Sequence, residues 1–515
     1  MKTATRNIKE DYLAGVESLR PFYQYPLEHP DPRQIIADKP QPAIERSLLA
    51  DIIREQYGEL ALTPEVERNL DRLAQPTSYS VTTGHQLVLL GGPLFTVYKV
   101  MSAIRLAEKW SSQLGEETPV VPVFWIHTED HDFEEINHFY ASFDEKQRYP
   151  GAFQGPVGWH QLGEAISPLI PDHFSAKLRE AYAPGRSMAM AFRAFMHELF
   201  GRFGLLILDA ADARLKAAFT NVAGEEFQRF TAFKQVNQHS AALEAAGYPL
   251  QIHPREVNLF YMDATGRDRI IPENGHFRID NREQTMELED LMAVAQDQPE
   301  KLSPNVSLRP LYQEMILPNL AYFGGWGELS YWMQLKGVFD HFGVNFPALL
   351  PRFSATLFTP EQAEAWQSKG FALEDIRQSL PMLNRQYMPQ VWDDNDFQAQ
   401  ATAILGEVKK LHAYIGSEIS ETLARSGDAL HTKTERFLQT LLKKAQRVKR
   451  HDHREPFEEI AALKQAIQPD GTVQERVLSL ASFPAYQPEQ LLDVIYEACD
   501  PLNFGHRFLV LPKAT

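Results

Sequence analysis

A chain of 515 residues is too long for one simple core, so the sequence predicts several domains or one large domain with insertions. Hydrophobic and charged contents of 44% and 23% are ordinary for a globular protein, and the lack of a run of about 18 apolar residues argues against a membrane-spanning helix. The net charge of −17 argues against broad nucleic-acid binding. A single cysteine and no apolar signal segment predict a cytoplasmic protein.

The first 75 residues have the apolar spacing of helices. In the segment TPEVERNLDRLAQP, Thr63 is the expected N-cap and Pro64 the first helical residue, since proline needs no amide hydrogen there. The next stretch, SYSVTTG, is rich in aromatic and β-branched residues and predicts the first strand.

A glycine-containing loop and a helix follow this strand. Gly84 permits a tight exit, Gly91 and Gly92 form a second break, and Pro93 is expected at the first position of a helix that reaches about Trp110. A glycine loop before a helix N-terminus can bind phosphate, but an ordinary βα turn also contains such glycines. The sequence favours neither interpretation.

Polar side chains flank this loop. Thr83, His85 and Gln86 stand at the carboxyl end of the strand, where open α/β sheets bind ligands. An imidazole beside a helix N-terminus can stabilise the charge of a phosphate. Lys99, within the helix, could reach an anion, although composition favours a solvated side chain.

Three further apolar runs predict buried strands of a parallel sheet: Val120 to Ile126, Phe203 to Asp212, and the segment VNFPALLPRFS. Strand, helix and strand within about 50 residues form the unit of a doubly wound fold. Turn signals at Thr265–Gly266 and Asn274–Gly275 predict a small β insertion before the last of these strands. The residues from that insertion to the last strand predict loop and helix.

The second strand ends in the acidic segment HTEDHDFEEINH. If a helix begins near Asp132, then His131, Glu135 and His138 share a face and could ligate a metal. Hydrogen bonding to substrate amines and hydroxyls is the favoured interpretation, followed by helix capping by Asp130 or Asp132.

The segment GGWGELSYW predicts a second close-approach loop, with a helix from about Glu328. Its Trp326 and Tyr331 could form a ligand wall or belong to the core, and Trp332 is expected in the core.

Asn305, Arg309 and Arg352 stand beside apolar segments, so they either line a pocket or close salt bridges. Arginine suits a carboxylate because its planar fork can bond both oxygens.

From about residue 398, apolar residues recur in steps of three and four, which predicts an antiparallel helical hairpin with a break at Ser426–Gly427–Asp428. A dimer through this arm is favoured, since a narrow hairpin has little core of its own. The basic run Lys443 to Arg454 is expected to be a solvated face, with an anion site as the alternative.

The chain resembles the cysteine ligase family of bacillithiol biosynthesis. The resemblance rests on six blocks in the family's order over residues 82–480: TTGHQLVLLGGPLFTVYK, VPVFWIHTEDHDFEEINH, SPNVSLRPLYQE, GGWGELSYWMQLK, FPALLPR and QERVLSL. Six ordered blocks are a far more specific signal than one glycine loop.

This resemblance implies an α/β fold: a Rossmann-like doubly wound parallel sheet related to class I aminoacyl-tRNA synthetases, with connecting-peptide insertions and a C-terminal α-helical coiled coil that pairs subunits. We therefore expect these regions: 1–140 for N-terminal helices and the first part of the core, 141–200 for an insertion, 201–247 for core, 248–300 for the small β insertion, 301–390 for core, 391–470 for the coiled-coil arm, and 471–515 for a segment that returns to the core.

The implied reaction joins L-cysteine to the amine of glucosaminyl malate, with ATP, accompanied by Mg²⁺, activating the carboxylate. The resemblance implies no tightly bound structural metal. The chain departs from the synthetase pattern in having no lysine-rich second signature loop, and Trp326 stands where the family carries a proline.

The residue types and the resemblance together give candidate roles. Catalytic candidates are His85, Gln86, Asp130 and Asp132. Nucleotide-binding candidates are Thr83, Gly84, His85, Gly91, Gly92 and Lys99. Substrate-binding candidates are Trp125, Glu129, His131, Glu135, Asn137, Asn305, Arg309, Gly324, Gly325, Trp326, Glu328, Tyr331 and Arg352.

Three other functions compete with ligation. A nucleotide-binding scaffold or regulator of thiol metabolism would bind nucleotide without turnover, and a coiled-coil assembly protein would act through residues 398–450 alone. A metal hydrolase is the least favoured.

Overall fold

The computed structural model describes residues 6–39 and 43–514, with backbone only at residues 421–425. Residues 1–5 and 40–42, which fall in the predicted N-terminal helical region, lie outside the described ranges.

The described residues form twenty α-helices. These are α1 Ile8–Leu13, α2 Pro32–Asp38, α3 Arg46–Tyr57, α4 Pro64–Leu73, α5 Leu94–Leu114, α6 Phe133–Ile136, α7 Ala176–Ala181, α8 Met188–Phe200, α9 Ala213–Lys216, α10 Thr220–Arg229, α11 Thr231–Ala245, α12 Leu288–Asp297, α13 Arg309–Ile316, α14 Trp326–Phe342, α15 Pro360–Ser368, α16 Leu380–Val391, α17 Asn395–Tyr414, α18 Glu421–Asp452, α19 Arg454–Ile467 and α20 Pro488–Ala498.

The same residues form fourteen strands. These are β1 Tyr79–His85, β2 Val120–Ile126, β3 His138–Tyr140, β4 Lys146–Arg148, β5 Leu206–Asp209, β6 Leu259–Asp263, β7 Gly266–Glu273, β8 His276–Ile279, β9 Thr285–Met286, β10 Leu302–Pro304, β11 Asn319–Gly324, β12 Ala348–Pro351, β13 Ala355–Phe358 and β14 Arg507–Val510. No helix among the described residues has the length and apolarity to cross a bilayer.

The chain divides into two compact units. The first comprises residues 1–355 and 475–507, and the second comprises residues 356–474 and 508–513. The second unit includes α15 and α16, whereas the sequence analysis assigned residues 301–390, which contain α15 and all of α16 except Val391, to the core.

A five-stranded parallel sheet forms the centre of the first unit, in the order β12-β11-β1-β2-β5. In this order β2 and β5, which follow β1 in the chain, lie on one side of β1, and the later strands β11 and β12 lie on its other side. The predicted doubly wound sheet is confirmed. Because strand order reverses between β1 and β11, ligands are expected in the crevice at the carboxyl ends of these two strands.

The strand β11 contradicts the sequence prediction, which gave loop and helix for this stretch. All six residues Asn319–Gly324 are buried, and the strand pairs with both β1 and β12. A short strand covered on both faces has no alternation to reveal it, and here helix α13 ends only three residues earlier. The central position of β11 could therefore not be recognised from periodicity.

The predicted β insertion is confirmed as an antiparallel sheet in the order β10-β6-β7-β8-β9. Its hairpin turns fall at Thr265 and at Asn274–Gly275, as predicted. The Asn274–Gly275 turn has positive φ angles of 52° and 87°, which asparagine and glycine tolerate best.

The loop between β1 and α5 differs in detail from the prediction. Pro93 precedes the helix as its N-cap residue, with an extended ψ of 151°, rather than occupying the first helical position. Gly91 and Gly92 have φ angles of 79° and 66°, and a Cβ at Gly92 would lie 2.3 Å from Val88 Cγ2. These two glycines serve the turn and its packing.

In the second unit, α17 and α18 form the predicted helical hairpin, but its turn is not at Ser426–Asp428. A π-helical turn at Ile415–Ile419 reverses the chain, and α18 continues through the predicted break. A Cβ at Gly427 would lie 2.4 Å from His412 Cδ2, so this glycine permits a close approach of the two helices rather than a break.

Candidate functional site

A cavity of about 910 Å³ opens at the carboxyl ends of β1 and β11, the crevice that the strand order predicts. The sequence-predicted residues that line it are Gly84, His85, Gln86, Lys99, Asp130, Glu135, Asn305, Arg309, Gly325, Glu328, Tyr331 and Arg352. Residues from five segments of the chain, 84–99, 130–135, 305–309, 325–331 and Arg352, therefore meet at one site.

An ion pair joins the two strand ends at this crevice. Lys99 Nζ lies 2.6 Å from Glu328 Oε2 and donates a hydrogen bond of 2.8 Å to the Gly84 carbonyl. Glu328 in turn accepts hydrogen bonds from the Gly325 amide, at 3.1 Å, and from the Tyr322 hydroxyl. The predicted solvated position of Lys99 is therefore wrong, because the residue is only 3% exposed and its ammonium is paired.

The electrostatics of this pair follow from its burial. Burial lowers the pKa of Lys99, and the Glu328 charge opposes that change. Burial would raise the pKa of Glu328, but Lys99 and the hydrogen bonds outweigh it and hold that pKa below its ordinary value. Glu328 is therefore ionised at neutral pH.

His85 ends β1 at the entrance to the same crevice. Its Nδ1 lies 3.3 Å from the Gln86 carbonyl oxygen, which can only accept, so this contact assigns the proton to Nδ1 and leaves Nε2 with a lone pair. Burial, with the Lys99 charge second, lowers the pKa of His85 to about 3. The free imidazole is thus neutral at pH 7.

Gln86 and Glu135 contact each other on the cavity wall. Gln86 Nε2 donates a hydrogen bond of 2.8 Å to Glu135 Oε2. The buried Gln86 Oε1 has no hydrogen-bond partner among the described residues, and neither does Nε of Arg352. Gln86 Oε1 and Arg352 Nε are therefore an acceptor and a donor on lining residues that a ligand could engage.

Asp130 and Arg309 form a second ion pair, with Nη2 and Oδ1 2.5 Å apart and a second hydrogen bond of 3.1 Å. His127 Nδ1 lies 3.1 Å from Arg309 Nη1. Burial opposes ionisation of Asp130, but the Arg309 guanidinium and His127 hold the pKa of Asp130 well below its ordinary value. Arg309 thus lines the cavity and closes a salt bridge, the two roles that the sequence offered as alternatives.

Arg352 is likewise paired, 2.7 Å from Glu475, which follows the second unit in the chain. Its guanidinium carbon lies 5.3 Å from the centre of the Phe95 ring, and Phe95 contacts His85 at a ring distance of 5.1 Å. Arg352 therefore lies close to the crevice, but its charge is balanced within the protein.

Ten predicted residues are not among those that line this cavity. They are Thr83, Gly91, Gly92, Trp125, Glu129, His131, Asp132, Asn137, Gly324 and Trp326. Thr83 is buried and donates to the Phe323 carbonyl, and a Cβ at Gly91 would face Phe195 of α8. The glycine loop therefore does not face the cavity as a phosphate cradle.

The acidic segment after β2 also contains both residues that line the cavity and residues that do not. Glu129 pairs with buried Lys216 at 2.5 Å, and Asp132 caps α6 by accepting from the Glu135 amide at 3.2 Å. The helix ends at Ile136, so His138 lies in β3 and cannot share a helical face with His131. Of the three uses considered, capping by Asp132 is confirmed.

The other four members of the set are structural. Trp125 packs edge-on against Tyr312 at 5.5 Å, and Asn137 is fully buried. A Cβ at Gly324 would lie 2.9 Å from Leu329 Cδ2, so Gly324 permits the approach of α14 to β11. Trp326 instead faces Lys9, at 5.7 Å.

The sequence missed several cavity residues. His127 and Tyr322 belong to the strand ends, whereas Arg255, Phe260, Arg267 and Arg269 come from the β insertion and Arg476 from the C-terminal return. Arg255 and Arg269 fall in segments without a recognisable motif, so only their positive charge could have drawn attention to them. Arg476 lies in the block QERVLSL, but the sequence analysis assigned it no role.

The residues that line the cavity carry a net positive charge, whereas the protein as a whole carries a net negative charge. The chain has 51 Lys and Arg against 68 Asp and Glu. The cavity is lined by four acidic side chains, Asp130, Glu135, Glu256 and Glu328, and by seven basic ones, Lys99, Arg255, Arg267, Arg269, Arg309, Arg352 and Arg476. This excess of cations favours an anionic ligand.

Among the described residues, no three His, Cys, Asp or Glu side chains are grouped to hold a metal.

Comparisons with known proteins identify relatives over nearly the whole chain. The family models of the bacillithiol biosynthesis BshC N-terminal Rossmann-like domain and C-terminal coiled-coil domain match residues 1–353 and 355–511. Two proteins named "Putative cysteine ligase BshC", from Cytophaga hutchinsonii and Christiangramia forsetii, are 31% and 30% identical over 96% and 98% of this chain, and 94% and 96% of their own lengths are covered.

A solved tryptophanyl-tRNA synthetase from Plasmodium falciparum aligns with 85% of this chain and 96% of its own, at 12% identity and a TM-score of 0.24. That score is too low to support a conclusion about fold or function.

The buried pair at the crevice predicts a specific stability pattern. Glu328→Gln leaves the Lys99 ammonium buried without a counter-charge, so we expect it to lower the free energy of unfolding by about 3 kcal/mol. The double variant Lys99→Met/Glu328→Gln should lose less than the sum of the single variants. Urea unfolding followed by tryptophan fluorescence measures both quantities.

The exposed pair Lys336–Asp340 on the same helix α14 is the matched control. Asp340→Asn should cost only about 0.5 kcal/mol. Equal losses from Glu328→Gln and Asp340→Asn would contradict the structural role of the buried pair.

Proposed function

The chain belongs to the bacillithiol biosynthesis BshC family, and we propose that it joins the carboxylate of L-cysteine to the amine of glucosaminyl malate in an ATP-dependent reaction. The observation that supports this proposal best is the cation-rich cavity at the switch point between β1 and β11. It is large enough for a drug-sized ligand, and its charge suits the phosphates of a nucleotide and the carboxylates of both other substrates.

The proposed reaction has two steps. The cysteine carboxylate attacks the α-phosphorus of ATP, forming an acyl adenylate and releasing pyrophosphate. The amine of the acceptor then attacks the acyl carbon, loses a proton and displaces AMP. Mg²⁺ would accompany ATP as a phosphate-bound ion.

The crevice supplies groups that fit the phosphates. The N-terminus of α14 at Gly325 provides the positive end of a seventeen-residue helix, and Gly327 in its first turn leaves open space within 4 Å. The free Nε–H of Arg352 and the imidazole of His85 lie on the same wall. In our proposal these groups hold the phosphates while charge moves onto the leaving pyrophosphate.

The amines have a different site in this proposal. Asp130 is engaged by Arg309, and Asp132 caps α6 and does not line the cavity, so Glu135 is the lining carboxylate of the acidic segment that remains for a substrate amine. Its second oxygen can accept while Gln86 holds the first. Asp130 then acts as a positioning residue that fixes Arg309 and His127.

Mass spectrometry of purified protein incubated with ATP, L-cysteine and glucosaminyl malate tests this function. We expect the amide product together with AMP and pyrophosphate, and we expect His85→Ala to lower the rate about 10²- to 10³-fold. His276→Ala, at an exposed histidine of the β insertion outside the cavity, is the matched control and should retain the wild-type rate.

A nucleotide complex that forms without any turnover would replace ligation with a scaffold or regulatory function. Release of ADP and phosphate would show activation through an acyl phosphate instead of an adenylate. Full activity of His85→Ala would remove the proposed phosphate role of this residue.

The neutral state of His85 predicts a pH dependence of nucleotide binding. A phosphate opposite Nε2 raises the pKa of His85 from its value of about 3, so the complex binds more protons than the free protein between the two pKa values. The affinity for a non-hydrolysable ATP analogue should therefore rise as pH falls below the raised pKa of His85 in the complex. Calorimetry at pH 7 in buffers of different ionisation enthalpy measures the proton uptake.

His85→Asn provides the reference, because the analogue itself also titrates in this range. We expect smaller proton uptake with His85→Asn than with wild type. Equal uptake would mean that the imidazole does not meet the phosphate.

The hairpin of the second unit supports a homodimer as part of this proposal. Leu430, Phe437, Leu441 and Val448 follow one another in steps of seven and four along α18, and each is more than 40% exposed. Such a stripe of exposed apolar side chains is typical of a helix that packs against another chain.

Phe437→Glu places a charge at the most exposed position of this stripe, 67% accessible, and we expect it to convert a dimer to a monomer in light scattering coupled to size exclusion. Gln439→Glu adds the same charge at an exposed position outside the stripe and should leave the dimer intact. A monomeric wild-type protein at micromolar concentration would contradict the dimer.

A further inference from the structure

The β insertion forms one wall of the cavity, and the cations of that wall have unequal surroundings. Arg267 and Arg269 lie two residues apart on β7, so their side chains leave the same face of the strand about 7 Å apart. Both line the cavity, together with Arg255 from the segment before β6.

Arg267 is fully engaged within the protein. Its Nε donates a hydrogen bond of 2.9 Å to Ser303, its Nη1 lies 3.1 Å from His131 Nδ1, and its guanidinium carbon is 3.8 Å from the centre of the Phe260 ring. With 7% of the residue exposed, Arg267 is a structural cation that cannot turn towards a ligand without breaking these contacts.

Arg269 and Arg255 have no such partners. Both are exposed, and neither guanidinium makes a hydrogen bond or ion pair with any residue that the structure describes. Glu256 lines the same cavity, but it is not ion-paired with either of them in the described part of the chain. Two planar donors therefore face one cavity without a counter-charge.

The arginines that the sequence singled out for a carboxylate are already occupied. Arg309 is held by Asp130, and Arg352 by Glu475. Arg476 has no ion-pair partner in the part of the chain that the structure describes. It directly follows Glu475, which bonds Arg352 after β12, so it does not belong to the insertion wall. The insertion wall is left with Arg255 and Arg269 as its available cations.

We infer that Arg255 and Arg269 bind the two carboxylates of the acceptor and so select an amino sugar that carries a dicarboxylate. This inference rests on the proposed function, in which the acceptor carries a malyl group. Malate joined to a sugar through its hydroxyl keeps both carboxylates free, and each can accept two hydrogen bonds from one guanidinium. Two unpaired arginines on one wall match two carboxylates on one substrate.

Calorimetric titration of the full-length protein tests this assignment with three probes: glucosaminyl malate, methyl 2-amino-2-deoxyglucoside, which has no carboxylate, and a non-hydrolysable ATP analogue. Arg269→Met and Arg255→Met should each weaken binding of glucosaminyl malate about 10- to 100-fold. Both should leave the affinities for the methyl glucoside and the ATP analogue within twofold of wild type. Arg269→Lys should recover part of the loss, because it restores the charge without the planar fork.

Arg278→Met is the matched control, since Arg278 lies on β8 of the same sheet, pairs with Glu273 and Asp280, and is outside the cavity. It removes the same charge and should not change the affinity for glucosaminyl malate. Unchanged affinity in both Arg269→Met and Arg255→Met overturns the inference. A loss confined to the ATP analogue also overturns it, in favour of a phosphate contact.

The same proteins separate this inference from the proposed function. If wild type binds glucosaminyl malate through Arg269 but forms no product, the proposed ligase function is rejected and the dicarboxylate site is supported. If wild type forms the product and Arg269→Met does so with the same KM for the acceptor, ligation stands and the assignment of Arg269 fails.

Discussion

The ion pair between Lys99 and Glu328 determines the geometry of the cavity. Lys99 of α5 bonds the carboxyl end of β1, and Glu328 lies in the first turn of α14, which follows β11. Lys99 holds the Gly84 carbonyl and Glu328 holds the Gly325 amide, so both glycines are fixed by one pair of charges. An anionic ligand would meet a crevice whose dipoles are already oriented, which is the condition for effective electrostatic stabilisation.

Much of the fold could be predicted from local sequence. The runs that became β2 and β5 are mainly apolar, and β1 was recognised from its aromatic and β-branched residues. The helices near them have strong caps such as Thr63. The strand β11 was missed because it is buried on both faces and follows a helix closely. The turn of the hairpin was misplaced because a glycine inside a helix can serve close packing as well as chain reversal.

The candidate site was less predictable than the fold. His85, Gln86 and Gly325 were found because strand ends and glycines before helices have local signatures. The environment of Lys99 depends on Glu328, which is distant in the sequence, so composition gave the wrong expectation for it. The positive charge of the cavity is assembled from arginines in unrelated segments and becomes visible only when the chain is folded.

The pairing of Arg352 with Glu475 has a consequence for the order in which the protein is made. Arg352 ends the parallel sheet, but Glu475 emerges from the ribosome only after the whole span 356–474 has been translated. Until then the nascent core carries a guanidinium that lacks its counter-charge, and such an unpaired charge disfavours burial. The counter-charge of Arg352 therefore arrives only after the span 356–474 has been made, and a chain truncated before residue 475 would contain the sequence of every strand of the parallel sheet while lacking Glu475 beside the crevice.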